Sequence, residues 1–276
     1  MQVEVTIEKL GAQGDGVAVT DGGPVFVPFA LPGERVRVKA AGERGTLLKV
    51  LEPSADRAAP ECSHFGKCGG CAVQHLERKA YLAWKRDQAA AALRSRGIEA
   101  EVEEVRPVPP GSRRRTAFTL KREGKRVKIC HHGRKSHDLV EIEQCALLEP
   151  RLGALVSRLP GVLAPAVGAR GAVELWLLAC ENGIDVTLKG AANAGPDFLA
   201  NLASEAPSLG VIRVTINGDM ALSLASPQVR FAGAMATPPP GAFLQAVAAA
   251  EAELAGLAVA GVGEAGTVVD LFAGMG

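Results

Sequence analysis

Nowhere in this 276-residue sequence does an apolar run approach the roughly 18 residues that a membrane-spanning helix needs. The N-terminus, MQVEVTIEKLG, also lacks the apolar core of a secretory signal, because charges interrupt its hydrophobes. These two absences exclude an integral membrane helix and an exported precursor, and they predict a cytoplasmic monomer with no membrane partner. Without export, the six cysteines are not a disulfide framework, since the cytosol keeps thiols reduced. No internal repeat is present, and the Ala and Gly bias reads as composition rather than as a functional low-complexity tract. What remains is ordinary globular chemistry, 47% hydrophobic and 22% charged, in a chain long enough for two or three small domains.

Acidic residues are scarce in one place. Between Arg106 and Lys135 eleven Lys or Arg face a single acid, Glu123, whereas from Pro150 onward there are six basic and ten acidic residues. The net charge of +1 conceals this asymmetry, and the basic third is where a polyanion would bind. A solvated basic surface with no partner is the plainer alternative; the density of charge favours nucleic acid.

Residues 3 to 52 carry five short alternating segments, VEVTIEKL, GVAVT, PVFVPF, ERVRVKA and GTLLKVLE, separated by Gly- and Pro-rich turns. Evenly spaced short strands predict a small antiparallel barrel. Gly11, Gly14 and Gly16 are not followed by a helical pattern and read as turn residues rather than a dinucleotide loop. PSADRAAP, residues 53 to 60, has the composition of a linker. Residues 76 to 97 then predict a helix with Leu76, Ala80, Trp84 and Ala91 near one face, Tyr81 and Trp84 in the core, and Gly97 as its stop.

From Arg113 the pattern has period two. RTAFTLKREGKRVKICHH predicts a hairpin turning at Glu123-Gly124, with Phe118, Leu120, Val127 and Ile129 inward and Arg115, Lys121, Arg126 and Lys128 sharing the outward face. Two more hairpins follow, turning at Asn182-Gly183 and Asn217-Gly218, a strong turn signal. Residues 241 to 257 predict an Ala-rich helix. Val268 to Phe272 then read as a buried strand leading into Gly274 and Gly276, a turn where backbone can approach a ligand. With no partner strands in its own domain, that strand predicts a poorly ordered stretch from Gly256 onward.

Cys62, Cys68 and Cys71 form a C-x5-C-x2-C cluster, and Cys145 stands 74 positions after Cys71. Four thiolates suffice for a structural zinc or an iron–sulfur cluster, and count does not decide between them. Zinc ribbons usually present two matched C-x2-C pairs, so three cysteines plus a remote one lean toward iron–sulfur. The two glycines of CGGC allow backbone amides to turn toward sulfur. His64 and His75 flank the cluster as candidate zinc ligands, with satisfied surface histidines the plainer reading. Cys130 and Cys180 lie in strand patterns and read as structural.

In order along the chain, GDGVAV and VFVPFALPGERV, then CSHFGKCGGCAVQHL with Cys145 in HDLVEIEQCALLEP, then PPGAFLQAV, then VVDLFAGMG, resemble the RNA uracil-C5 methyltransferases that carry an iron–sulfur cluster. The resemblance implies an α/β multi-domain fold: an OB-like TRAM barrel over 1–52, a central α+β domain over 53–240 with the four-cysteine [4Fe-4S] cluster and the basic hairpin, and the start of a Rossmann-like S-adenosylmethionine domain over 241–276. It implies Cys62, Cys68, Cys71 and Cys145 as cluster ligands, and Phe243, Gln245, Asp270, Gly274 and Gly276 in the cofactor site. RNA, ribosomal rather than transfer, would meet Arg113, Arg115, Lys121, Arg126 and Lys128. The family commonly has an aromatic before its basic strand, whereas Ser112 precedes Arg113 here, a departure that bears on Arg113 and Arg115.

The reaction implied is methylation of uracil C5. A cysteine thiolate adds to C6, C5 takes the methyl group from S-adenosylmethionine, and a base removes the C5 proton as the thiolate leaves. In the family that cysteine and base lie beyond the VVDLFAGMG motif. The resemblance therefore implies that this chain is the N-terminal part of a longer enzyme, inactive alone and with no catalytic residue of its own. The competing readings are a non-catalytic RNA-binding module braced by an iron–sulfur or zinc site, and a metal-stabilised protein whose basic surface is idle.

Overall fold

A computed structural model describes residues 1–169, 171–192, 195–231 and 233–271. The chain forms two compact units, Met1–Pro107 with His132–His137, and Val108–His131 with the chain from Asp138 onward. Their boundary falls inside the segment expected to be one central domain over 53–240.

In the first unit β1 (Gln2–Thr6), β2 (Lys9–Leu10), β3 (Asp15–Thr20), β4 (Gly23–Pro28), β5 (Arg35–Ala41) and β6 (Arg44–Glu52) form one sheet in the order β1-β5-β6-β4-β3-β2. Alternation sets its core: along β5, Val36 and Val38 are fully buried while the basic residues between them face water. Ile7, Ala18, Val25, Val27 and Ala30 complete that core. Gly11 and Gly14 lie in the β2–β3 turn, as expected, whereas Gly16 lies within β3, paired with Leu10 and Val27. Gly14 has φ +75°, and a Cβ there would stand 2.7 Å from the Val73 side chain.

The PSADRAAP segment is anchored rather than free. Its Arg57 donates to the wholly buried Glu34 through Nη2 at 2.8 Å and to the Phe29 carbonyl at 2.8 Å. Glu34 also accepts from the Leu31 and Ser54 amides. Burial pushes this carboxyl up, but Arg57 and the two amides more than offset it and hold it below the ordinary value. Composition marked a linker because small and polar residues abound there; one buried ion pair decides otherwise.

α1 (Arg78–Arg94) begins at Glu77, whose carboxylate accepts from the Lys79 and Ala80 amides, and Gly97 follows its end with φ +71°. Ala80, Tyr81 and Trp84 pack on Leu31, Val73 and Leu76, whereas Ala91, expected on that face, is exposed. His75 also departs from expectation. It is 1% exposed rather than on the surface, stacked at 5.3 Å on Phe65 and 6.2 Å from Phe29, and neither ring nitrogen has a hydrogen-bond partner.

In the second unit seven strands form one sheet: β7 (Arg115–Glu123), β8 (Arg126–His132), β9 (Leu139–Glu141), β10 (Ala172–Cys180), β11 (Gly183–Lys189), β12 (Val211–Ile216) and β13 (Asp219–Ser223). Their order is β13-β12-β11-β10-β7-β8-β9; β12–β13, β10–β11, β7–β10 and β7–β8 pair antiparallel, and β11–β12 pairs parallel. That parallel pair is bridged by α4 (Pro196–Glu205), the length of crossover a parallel connection needs. One face carries Phe118, Leu120, Ile129, Leu175, Leu177, Val186, Leu188 and Val214, all buried. The short α2 (Pro150–Gly153) packs against β10, and α3 (Leu159–Leu163) against α4. A separate hairpin, β14 (Val229–Phe231) with β15 (Ala234–Ala236), completes the strands.

All three expected hairpins are present, with Gly124 at φ +58°, Asn217 at +53° and Gly218 at +98° in their turns. The Ala-rich helix, α5 (Ala248–Val262), starts seven residues later than expected and continues through Gly256. The strand expected at 268–272 is absent over the described residues 268–271, where Val268, Val269 and Leu271 are exposed.

Burial, with the Arg57 charge next, pushes the pKa of His75 down to about 4, so it is neutral in the folded chain. The unfolded chain binds that proton first, near the ordinary histidine value. The His75 contribution to stability is therefore complete above about pH 6.5 and is lost as pH falls toward 4. In melts of the wild type this appears as falling stability across that window, and His75→Leu flattens the curve there. An unchanged slope in the variant contradicts the assignment.

Candidate functional site

The site of the second unit is built on Arg113, Arg114 and Arg115, whose extended backbone sends neighbouring side chains different ways. The Arg113 amide donates to the Leu147 carbonyl at 2.9 Å and its carbonyl accepts from the Glu149 amide at 3.0 Å. Arg114 turns inward and is buried. Its Nη2 meets Glu251 at 2.7 Å, its Nε donates to the Gln245 carbonyl at 3.2 Å, and its amide donates to the Ala246 carbonyl at 2.8 Å. Arg115 donates through Nε to the Leu244 carbonyl at 2.9 Å, and its guanidinium lies 4.6 Å from the Phe243 ring centroid.

These bonds explain why the helix starts late. Residues 244–246 give their carbonyls to two arginines, and Leu244 is buried with Leu178, Cys180 and Val229, so the segment is held out of the helix until Ala248. Exposure alternates there: Phe243 (69% exposed) and Gln245 face outward on either side of buried Leu244. Phe243 and Arg115, assigned to cofactor and to RNA on sequence grounds, are therefore neighbours. Burial, followed by the nearby Arg113 charge, lowers the Arg115 pKa, and a guanidinium stays charged regardless. Asp270 is exposed and on no strand, and Gly274 and Gly276 lie outside the described residues.

The remaining hairpin cations are unequal. Lys121 pairs across the sheet with Lys128, and Arg126 with Glu123. The Arg126 side chain is 68% exposed and reaches Glu141 at 2.5 Å; that of Lys128 is 20% exposed and held by Glu123 at 2.7 Å and Glu141 at 3.0 Å. Those contacts raise the Lys128 pKa and lower that of Glu123. Arg122 caps the α3 region by donating to the Val167 and Ala164 carbonyls at 3.0 and 2.5 Å. Sequence reasoning missed Arg114 and Glu251; no pattern distinguishes the middle arginine of three.

The cysteine loop belongs to the first unit. Cys62 N donates to Gln74 Oε1 at 3.2 Å, and Cys68 N to the His64 carbonyl at 2.9 Å. The Gly70 amide points at Cys68 Sγ, 3.4 Å away, which is the arrangement expected of CGGC. Gly69 donates to the His132 carbonyl at 2.8 Å and lies so close to that backbone that a Cβ would stand 2.8 Å from Gly133 O. Cys62, Cys68 and Cys71 are partly exposed and outside any disulfide. Among the described residues no group of three or more His, Cys, Asp or Glu side chains is drawn together as a metal site. The donor chemistry of these cysteines suits a thiophilic centre. Cys145 lies in the second unit, where its carbonyl accepts from the Leu148 amide at 3.2 Å. Cys130 and Cys180 are buried; burial raises both thiols, with Asp185 adding to the shift of Cys180, to about 12. Neither has the electropositive, accessible setting of a reactive thiolate.

Comparison with known proteins supplies the context. Residues 2–41 match the TRAM domain. The chain is 38% identical over 278 residues to an uncharacterized RNA methyltransferase of Rhizobium meliloti (strain 1021), covering 99% of this chain and 67% of that one. It is 39% identical over 281 residues to another of Caulobacter vibrioides, covering 99% and 68%. Against the 23S rRNA (uracil(1939)-C(5))-methyltransferase RlmD of Vibrio cholerae it is 38% identical over 169 residues, 58% of this chain and 38% of that enzyme. The crystal structure of Pyrococcus abyssi tRNA (uracil-54, C5)-methyltransferase in complex with S-adenosyl-L-homocysteine superposes with a TM-score of 0.68 at 20% identity, covering 93% of this chain and 64% of that one. The chain spans about two thirds of the length of its first curated relatives.

The Arg114–Glu251 pair sets a stability test. Arg114→Met leaves the largely sheltered Glu251 carboxylate and the Gln245 carbonyl without their donor, and a loss of about 3 kcal/mol in urea unfolding is expected. Arg113→Met, at an exposed side chain, changes stability by less than about 0.5 kcal/mol. Equal effects from the two variants contradict the assignment of Arg114 as the anchor.

Proposed function

Because the chain belongs to the RNA methyltransferase family that includes the uracil-C5 enzymes, we propose that it serves S-adenosylmethionine-dependent methylation of uracil C5 in RNA, ribosomal before transfer. The observation that carries this reading is the Arg115 guanidinium against the outward Phe243 ring, with Gln245 presented on the same anchored segment. This places the cation proposed to meet an RNA phosphate directly beside the aromatic face and amide proposed to meet the cofactor. Arg114 contributes rigidity there, not charge.

S-adenosylmethionine, when bound, supplies an electrophilic methyl group. Phe243, Gln245 and Asp270 are the described residues proposed to face it, with Gly274 and Gly276 assigned by sequence alone. The reaction also needs a thiolate at uracil C6 and a base for the C5 proton. Cys130 and Cys180 are unsuited to the first role, and no residue of this chain is assigned to either. The target uracil must be unpaired or leave its stack.

Cys62, Cys68, Cys71 and Cys145 are proposed as thiolate ligands of a [4Fe-4S] cluster, with zinc the alternative. Support comes from their spacing and from the Gly70 amide aimed at Cys68 sulfur. Arg113, Arg115, Lys121, Arg126 and Lys128 are proposed to meet RNA, Lys128 least because two carboxylates hold it. The second reading, an RNA-binding module without chemistry, rests on the same cations.

Disruption of the gene should remove one 5-methyluridine from ribosomal RNA, read by nucleoside mass spectrometry. Loss from transfer RNA alone moves the substrate; unchanged 5-methyluridine in every RNA class overturns the methylation reading. Anaerobically purified protein is expected to carry iron and sulfide in equal amounts, lost in Cys71→Ser and kept in Cys130→Ser. Stoichiometric zinc without sulfide overturns the cluster.

A further inference from the structure

The seven-stranded sheet buries one face throughout and part of the other, where Leu178 and Cys180 pack with Val229 and Leu244; beside that covered part the second face holds a Trp that neither the fold nor the cofactor reading uses. Trp176 lies in mid-strand on β10, between Ala117 of β7 and Thr187 of β11. Its neighbours in sequence, Leu175 and Leu177, point into the core, so Trp176 faces the other way and is only partly buried. The flanking side chains are short: Ala117 and Thr119 on β7, and Ala172 on its own strand.

Cations surround it. Lys189 Nζ lies over the ring, 5.2 Å from its centroid, and the indole N–H donates to exposed Glu174 at 3.2 Å. Lys189 is the cross-strand partner of Glu174, and Lys121 that of Ala172, so both ammonium groups share the face of Trp176. Arg115, two residues before Ala117 on β7, shares it too and brings the Phe243 ring with it. The face therefore carries two aromatic–cation pairs, Trp176 with Lys189 and Phe243 with Arg115.

We propose that Trp176 is a stacking platform for one unpaired RNA base, with Lys189 and Lys121 receiving the flanking phosphates. This rests on the RNA reading above and adds to it a binding position that no motif marked. A protein partner docking on a Trp would need a contiguous exposed apolar patch, whereas Leu178 on this face is buried and the ring is flanked by Lys189, Glu174, Thr187 and Ala117. A nucleotide instead needs a π-face with positive charge at its rim. The Lys189 ammonium holds the ring by a weak exposed contact that base stacking outweighs, and the displaced ammonium is then free to meet phosphate. Stacking uses the face common to all bases, so the site discriminates strandedness rather than sequence.

The chain has two tryptophans, and Trp84 belongs to the first unit, packed on Leu76 and Val73. Trp84→Phe therefore leaves Trp176 as a single reporter. Titration of the 276-residue chain with a labelled oligouridine at low salt should quench emission in the wild type and in Trp84→Phe, and not in Trp176→Phe. By fluorescence anisotropy, Trp176→Ala is expected to bind about tenfold more weakly, Trp176→Phe within about twofold of wild type, and Lys189→Gln with a salt slope reduced by roughly one phosphate. RNA binding that persists undiminished in Trp176→Ala, without quenching in Trp84→Phe, overturns the platform and leaves the RNA reading standing. Equal quenching by duplex RNA overturns the unpaired-base assignment. No binding of oligouridine by the wild type overturns both. Trp176→Phe, which keeps a ring of similar placement, separates lost stacking from a misfolded sheet.

Discussion

A buried guanidinium organises the second unit's site. Removing Arg114 from water is costly, and the structure compensates with a carboxylate and a carbonyl, Glu251 and the Gln245 oxygen, both on one stretch of chain. That stretch cannot enter α5 early, because its carbonyls already serve as acceptors across the chain and not along a helix. The result is a segment whose exposure alternates, Leu244 in and Phe243 and Gln245 out. The outward positions acquire their geometry from an inward charge committed to the chain itself.

The first unit uses the same device. Glu34 has no exposure, and its oxygens are met by Arg57 and two amides, so a segment of linker composition is fixed against the sheet. Asp15, also buried, is paired with Arg134 and with Lys135 at 3.0 Å. Two carboxylates thus absorb three of the unit's cations. Losing either partner of such a pair costs more than the pair contributes when intact, which gives these positions their structural weight.

What the sequence made legible follows periodicity. Strands β3 to β6 of the first sheet, all three hairpins and the inward set Phe118, Leu120, Val127 and Ile129 were readable, because alternation and Asn-Gly or Glu-Gly turns are local signals, whereas VEVTIEKL, read as one segment, divides into β1 and β2. The helix start at 248 was not, since Ala, Leu and Gln have helical propensity and the override comes from arginines more than 120 residues away in sequence. His75 was misplaced for a related reason. A neutral imidazole among Phe29 and Phe65 behaves as an aromatic, and no local rule distinguishes that from a hydrated histidine. Trp176 sat unremarked in VELWLLAC, because a lone Trp in an apolar strand reads as core until pairing assigns its face.

The basic run shows why counting charge overstates a field. Within the second unit, Arg114 is committed to Glu251, Arg126 and Lys128 to Glu141, and Arg122 to two backbone carbonyls. Glu141 and Glu251 lie outside the stretch that looked almost free of acid, and the fold brings them back to it. A polyanion approaching this unit meets a smaller set of cations than the sequence displays, arranged by the sheet into rows that alternate with short side chains. Binding that depends on few phosphates falls less steeply with salt and leans more on stacking. Aromatic faces such as Phe243 and Trp176 then carry weight that a dense basic patch would otherwise supply. The pairing that neutralises the hairpin's charge is, on this view, what makes the aromatic residues beside it consequential.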